Sequence, residues 1–124
     1  MLRCRPGFSR GSEPRAGPGW PWGPNPARAR RWRVAWDPSR EVNHTCARAV
    51  IDEAPGGATV LVQAYHLALV GTWLAQERKD LRAVHFSHIP FCEPGALRVL
   101  PSDVAEELLV GMGSHASCGF HARR

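Results

Sequence analysis

Apolar and polar residues from position 36 onward follow a pattern that predicts alternating helices and strands. Residues 40–54 carry apolar side chains at helical spacing, and the Pro55-Gly56-Gly57 sequence ends this helix. Residues 58–62 then form a short, continuous apolar run, which is typical of a buried parallel strand. The first half of the pattern therefore predicts a helix followed by a strand.

The second half of the pattern repeats this alternation. Apolar residues at spacing i, i+3 and i+7 from Leu67 predict a second helix, and residues 81–87 predict a second strand. Ser102 is predicted as the N-cap of a further helix, since an acidic residue follows it in the first turn. A third strand is predicted at residues 116–120. This order predicts an α/β fold with a parallel sheet and right-handed crossovers.

Composition divides the chain near residue 36. Residues 1–35 contain six prolines, five glycines and three tryptophans without a regular period, which predicts a disordered leader ahead of an ordered domain at 36–124. The leader holds eight arginines and one glutamate, whereas the remainder holds eight basic and ten acidic residues. The net charge of +5 therefore comes from the leader, and the predicted domain has no basic face for nucleic acid. Nucleic-acid binding through the leader is a minor alternative, and it would weaken steeply with salt.

The four cysteines form no metal-binding or disulfide pattern. They are Cys4, Cys46, Cys92 and Cys118, separated by long and irregular gaps. We predict reduced thiols, with Cys46 and Cys118 buried as small apolar residues, and neither a metal ion nor another cofactor. No stretch approaches the roughly 20 apolar residues that cross a bilayer, and no secretory signal is recognisable. A cytoplasmic location without membrane contact is therefore predicted.

Candidate chemistry lies where the three predicted strands end. His66, His88 and His121 follow the first, second and third strand. The carboxyl ends of parallel strands meet at one edge of the sheet, where ligands bind. Imidazole can donate a hydrogen bond to a sugar hydroxyl or contact a phosphate, although a structural hydrogen bond at a strand end is an alternative for each histidine. Pro90 favours a positional role for His88, because the residue before a proline is held extended.

Other catalytic patterns are weak. The adjacent carboxylates Glu106 and Glu107 lie on a helix face that is predicted to meet solvent, which argues against catalysis by paired carboxylates. The Pro55-Gly56-Gly57 sequence precedes a strand, whereas a phosphate-binding loop follows a strand and opens a helix. Neither motif therefore adds a candidate site.

Three ordered motifs are similar to those of trehalose-6-phosphate synthases. Residues 60–67 (VLVQAYHL) resemble the V-Q-D-Y-H-L segment of that family, and residues 85–91 (HFSHIPF) resemble its F-x-H-I-P-F segment. Residues 119–121 (GFH) follow at a similar spacing. Trp36 with residues 42–43 (VN) resembles the entry to the preceding helix. The resemblance covers the chain from Trp36 almost to its end.

The resemblance implies a glycosyltransferase of two Rossmann-like lobes. This chain matches part of the N-terminal lobe, as a Rossmann-like three-layer α/β fragment with a parallel sheet. Members of the family transfer a glucosyl group from UDP-glucose to glucose 6-phosphate in trehalose biosynthesis, without an essential divalent metal. The implied binding partners are therefore a nucleotide sugar and a sugar phosphate.

The resemblance also implies roles for individual residues. His88 corresponds to the family histidine that contacts the donor sugar, and it is the implied catalytic residue. The implied substrate-binding residues are Ala64, Tyr65, His66 and His88. Ala64 stands where the family has an aspartate that contacts the acceptor, and a methyl group cannot accept a hydrogen bond from a hydroxyl. Part of the acceptor site is therefore expected to be lost.

Two functional hypotheses follow from the resemblance. The family's C-terminal lobe, whose arginine and lysine hold the donor phosphates, has no counterpart in these 124 residues. We therefore expect a glycosyltransferase fragment that is inactive by itself. The alternative is a non-catalytic binding or regulatory module that associates with a full-length synthase.

Overall fold

A computed structural model describes residues 25–121 of the chain. The helices and strands alternate along the chain as the sequence predicts, and the strands begin and end within one residue of the predicted bounds. In chain order the elements are α1 (Pro26–Glu53), β1 (Thr59–Val62), a 3-10 turn (Tyr65–Leu67), α2 (Val70–Glu77), β2 (Arg82–Ser87), the single-turn α3 (Pro94–Leu97), α4 (Ser102–Gly113) and β3 (Ser117–Phe120).

The three strands form one parallel sheet in the order β1-β2-β3. Val62 at the end of β1 lies opposite His85, and Ser87 at the end of β2 lies opposite Phe120. Helix α2 connects β1 to β2, and α4 lies between β2 and β3. The predicted α/β Rossmann-like fragment with a parallel sheet is confirmed.

The core lies between the sheet and two helices. Ala47 of α1 packs with Val70 and Leu74 of α2 against Val62 of β1 and Ala83 of β2. Helix α4 packs on α2, so the helices cover one face of the sheet. The described residues thus supply two of the three predicted layers.

The opposite face of the sheet is open in the described part of the chain. Leu61 lies on this face and is 56% exposed. Leu61 lies opposite Val84 of β2. Because side chains alternate between the two faces along a strand, Val84 and Phe86 both lie on the open face with Leu61. Both of these residues are only half-buried.

Two glycines permit the close packing of α4 on α2. A Cβ atom at Gly111 would lie 2.6 Å from Leu69 Cδ2 and 3.0 Å from the carbonyl oxygen of Ala68. A Cβ atom at Gly71 would lie 2.6 Å from Cε1 of His115, in the turn after α4. Any larger residue would separate the two helices or displace the His115 ring.

Helix α1 begins earlier than the sequence predicts. Asn25 caps the helix, because its Oδ1 accepts hydrogen bonds from the backbone N–H groups of Ala27 (3.0 Å) and Arg28 (3.4 Å). The predicted start at residue 40 is therefore wrong, and residues 26–35 of the predicted disordered leader are helical. Pro38 lies inside this helix. Proline is usually found in the first turn of a helix, where the N–H group that it lacks would have no partner. The first 24 residues of the predicted leader lie outside the described residues.

Two predictions about α4 are wrong. Ser102 is the first helical residue rather than the N-cap, which is Pro101 and makes no capping hydrogen bond through its side chain. Glu107 does not simply face solvent, because it accepts hydrogen bonds from Trp36 Nε1 (2.6 Å) and Arg40 Nε (2.6 Å). The carboxylate therefore joins α4 to α1, a contact between elements far apart in sequence.

The cysteines are distributed differently from the prediction. Cys46 is half-buried and packs against the core. Cys118 is exposed, so its predicted burial is wrong; it lies on β3, an outer strand of the described sheet. Cys4 lies outside the described residues. None of the helices within residues 25–121 is both long enough and apolar enough to cross a membrane.

Candidate functional site

The ends of β1 and β2 lie side by side at the carboxyl edge of the sheet. The parallel register that places Val62 opposite His85 brings Ala64, two residues beyond β1, next to the end of β2. His85 Nε2 donates a hydrogen bond to the carbonyl oxygen of Ala64 at 3.2 Å, which ties the two strand ends together. The predicted adjacency of these strand ends is confirmed.

Two of the three predicted histidines meet at this edge. The imidazole rings of His88 and His121 lie with their centroids 5.9 Å apart. Both rings contact Phe86 edge-on, with centroid distances of 5.0 Å from His88 and 5.5 Å from His121. Gly119 lies opposite Phe86, where a Cβ atom would be 2.7 Å from Phe86 Cδ2, so the glycine leaves room for the ring.

The backbone after β2 is held in a turn that fixes the position of His88. Ser87 Oγ donates to the carbonyl oxygen of Ile89 at 3.2 Å, and the N–H of Ile89 points at the same Oγ at 3.4 Å. Phe91, two residues further on, packs against Phe120 of β3 with ring centroids 5.2 Å apart. The loop that carries His88 is therefore anchored at both ends.

Tyr65 and His66 lie in the 3-10 turn that follows Ala64. Tyr65 is 61% exposed, and its ring meets the ring of His66 edge-on at 5.3 Å. Within the described residues, the His66 ring therefore packs on Tyr65 and not on His88 or His121. The structure thus brings together two of the three histidines at the sheet edge.

Asn43 positions this turn, and sequence reasoning did not identify that role. The side chain is 1% exposed, and its Nδ2 donates to the carbonyl oxygens of Ser39 and His66, both at 2.8 Å. Its Oδ1 accepts from the backbone N–H of Leu69 at 3.0 Å. A single buried amide therefore connects α1 to the 3-10 turn and to Leu69, the last residue before α2. The V-N pair at residues 42–43, which resembles the family's entry to this helix, was the only feature of the sequence that pointed to Asn43.

Comparison with known proteins shows the family to which the chain belongs. The model of glycosyltransferase family 20 matches residues 20–124. The chain belongs to glycosyltransferase family 20. The match begins before Trp36, so it includes the helical residues that were predicted to be part of the leader.

Several curated relatives of this family 20 chain are trehalose-phosphate synthases. The UDP-forming alpha,alpha-trehalose-phosphate synthase of Emericella nidulans is 34% identical over 91 residues, which are 70% of this chain and 18% of the relative. The bifunctional trehalose-6-phosphate synthase/phosphatase of Thermoproteus tenax is 35% identical over 86 residues, 69% of this chain and 12% of the relative. The trehalose-6-phosphate synthase of Mycobacterium sp. (strain JLS) is 38% identical over 92 residues, 74% of this chain and 18% of the relative. The chain therefore spans less than a fifth of the length of these relatives.

The side chains of this family 20 site suit recognition of a sugar. His88 and His121 offer ring N–H groups that can donate to hydroxyl or phosphate oxygens, and Phe86 and Tyr65 offer aromatic surface. Ala64 contributes only a methyl group and a carbonyl oxygen, and this oxygen already accepts a hydrogen bond from His85 Nε2. No group of three His, Cys, Asp or Glu side chains within residues 25–121 could hold a metal ion.

Proposed function

We propose that this chain forms part of the N-terminal lobe of a glycosyltransferase that transfers a glucosyl group from UDP-glucose to glucose 6-phosphate. The observation that carries the proposal is the pairing of His88 and His121 at the carboxyl edge of the sheet, beside the end of β1. Membership of family 20 supports glycosyl transfer. The names of the relatives, UDP-forming trehalose-phosphate synthases among them, support the nucleotide and the phosphorylated product.

The proposal assigns the donor sugar to His88. Its imidazole donates a hydrogen bond to the sugar, and the turn at Ser87 and Ile89 keeps it in place while the bond between the sugar and UDP breaks. Tyr65 and His66, exposed beyond β1, are proposed to border the acceptor. During transfer, the bond between the glucosyl carbon and the phosphate oxygen of UDP breaks, and the acceptor hydroxyl oxygen forms the new bond to that carbon. The hydroxyl proton passes to the phosphate oxygen of the departing UDP.

Ala64 is proposed to weaken acceptor binding. A hydrogen bond from an acceptor hydroxyl to a carboxylate is missing at this position, and such a loss costs about 1–3 kcal/mol. These 124 residues by themselves are also expected to be inactive, since they cover only 18% of the Emericella nidulans synthase.

A hybrid enzyme tests the proposal. Residues 36–124 replace the matching segment of the Emericella nidulans synthase, and UDP release that depends on glucose 6-phosphate is measured. We expect a weakly active hybrid. Ala64→Asp should raise its activity about tenfold, since 1.4 kcal/mol corresponds to a factor of ten. His88→Ala should abolish the activity in either background.

The control is Thr45→Ala, which removes an exposed hydroxyl on α1 that only bonds the carbonyl oxygen of Glu41. It should leave the hybrid's activity unchanged. A hybrid that is equally active before and after Ala64→Asp would show that position 64 does not contact the acceptor. Retained activity in His88→Ala would reject the role of His88.

A further inference from the structure

Two histidines are buried on the face of the sheet that packs against the helices, away from the paired histidines of the candidate site. His85 of β2 is 1% exposed and His115, in the turn after α4, is 7% exposed. Their ring centroids are 5.2 Å apart. The His115 ring also covers Gly71 of α2, so this pair joins α4 and β3 to the rest of the fold.

Backbone hydrogen bonds determine which nitrogen of each ring carries the proton. His85 Nε2 lies 3.2 Å from the carbonyl oxygen of Ala64, and His115 Nδ1 lies 3.1 Å from that of Gly111 and 3.2 Å from that of Met112. A carbonyl oxygen can only accept, so these two nitrogens are the donors. The remaining nitrogens, His85 Nδ1 and His115 Nε2, are therefore unprotonated. Both are buried without a hydrogen-bond partner in the described structure.

Within residues 25–121, no acidic side chain lies opposite His85 in the sheet or acts on the charge of His115. Val62 of β1 lies opposite His85 on one side, and Cys118 of β3 lies opposite it on the other. Cys118 is exposed as a residue, but neighbouring atoms remove part of the water around its thiol, which raises the pKa of the thiol and leaves it uncharged. Burial is also the main cause that lowers the pKa of His115, and within the described residues the one charge that acts on it is that of His85. A proton added to His115 Nε2 would therefore be a buried charge without a hydrogen-bond partner in the described structure.

We propose that the His85–His115 pair is an acid-sensitive contact that holds α4 and β3 against β2 and α2 while the rings are neutral, and loosens them when the His115 ring gains a proton. Since His85 also bonds the Ala64 carbonyl, the change reaches the loop after β1. The proposal holds whether or not the chain takes part in glucosyl transfer.

The direction of the pH dependence follows from proton binding. His115 has a lower pKa in the folded chain than the ordinary value of 6.5 that applies to the unfolded chain. Below about pH 6.5 the unfolded chain therefore binds more protons than the folded chain. The contribution of the neutral His115 ring to the free energy of unfolding is fully present above that pH. It decreases as the pH drops through 6.5 toward the pKa of His115 in the folded chain.

Urea unfolding of the 124-residue chain at pH 7.5, 6.5 and 5.5 tests the proposal. In the double variant His85→Gln/His115→Asn, each side-chain amide places an N–H donor near the position of the donating ring nitrogen. Neither amide can gain a proton in this pH range. We expect the urea midpoint of the wild type to fall between pH 7.5 and 5.5, and that of the double variant to stay constant. The control, His44→Gln, changes an exposed histidine on α1 and should retain the wild-type dependence. A double variant with the same fall as the wild type would overturn the proposal.

Nitrogen-15 NMR of the wild-type chain with labelled histidines gives a second test that needs no variant. At pH 7.5 we expect one ring protonated at Nε2, for His85, and one protonated at Nδ1, for His115. On acidification the His115 ring should gain a proton at a lower pH than the exposed rings, together with loss of amide dispersion in α4 and β3. Six histidine rings that all titrate together near pH 6.5 would overturn the proposal.

Discussion

At the scale of single residues, the most informative side chains are polar groups on the buried side of the fold. Strand β2 buries Ala83, His85 and Ser87, whereas the more apolar Val84 and Phe86 are half-exposed on the open face. Periodicity assumes that apolar side chains point to the core. It therefore located this strand, but it could not show which face is buried or that two histidines meet there.

Asn43 provides a direct test at this scale. Asn43→Ala would leave the N–H of Leu69 and the carbonyl oxygen of His66 without their side-chain partner, and the cost of such unsatisfied groups is about 1–3 kcal/mol. We expect a loss of that size in the free energy of unfolding, measured in urea at pH 7.5. The matched control is Thr45→Ala on the same helix, whose hydroxyl is exposed and makes one local bond. A loss for Asn43→Ala no larger than that of the control would show that the amide does not hold the turn.

At the scale of elements, the strands and the meeting of their ends could be predicted from the sequence. Continuous apolar runs identified the strands, and parallel topology alone places the ends of β1 and β2 at one edge. The start of α1 could not be predicted, because Pro38 inside the helix resembles a start signal. The packing of His66 on Tyr65 could not be predicted either, since it depends on a 3-10 turn held by a bond to Asn43. That bond joins residues 23 apart in sequence.

The contact between α1 and α4 gives a second prediction. The Glu107 carboxylate accepts hydrogen bonds from the indole N–H of Trp36 and from the guanidinium of Arg40, both at 2.6 Å. The bond to Arg40 is also an ion pair. The carboxylate is 36% exposed, so the ion pair is partly screened by water and the cost of losing it is modest. We expect Glu107→Ala to lower the free energy of unfolding by about 1 kcal/mol, including the loss of the indole hydrogen bond.

Glu106→Ala is the matched control for this contact, since the neighbouring side chain is exposed. It should change stability by less than about 0.5 kcal/mol. Trp36 fluorescence provides a separate measurement, because its indole N–H would lose its acceptor in Glu107→Ala only. Equal effects of the two variants would contradict the proposed link between the helices.

At the scale of the whole molecule, the described residues form a sheet with one covered and one open face. The open face carries Leu61, Val84 and Phe86, and in a larger protein such an apolar surface would be covered by further layers or by a partner. The hypothesis of a module that associates with a full-length synthase would place the partner there. Light scattering of an equimolar mixture with an intact synthase would show a complex if the hypothesis holds, and two separate species if it fails.

The boundary of the folded unit yields the last prediction. Composition places it at residue 36, but Asn25 caps α1 and Arg33 pairs with Asp103 of α4 at 2.8 Å. A chain that starts at residue 36 loses both interactions, a cap worth about 1 kcal/mol and an exposed ion pair worth at most about 1 kcal/mol. We therefore expect the full chain to be more stable than residues 36–124 by about 1 kcal/mol in urea unfolding. Asn25→Ala in the full chain should reproduce a large part of that difference, because it removes the cap and leaves the ion pair in place. Identical urea midpoints for the full and shortened chains would instead support a folded unit that begins at Trp36, and would show that the helical residues before it contribute nothing to stability.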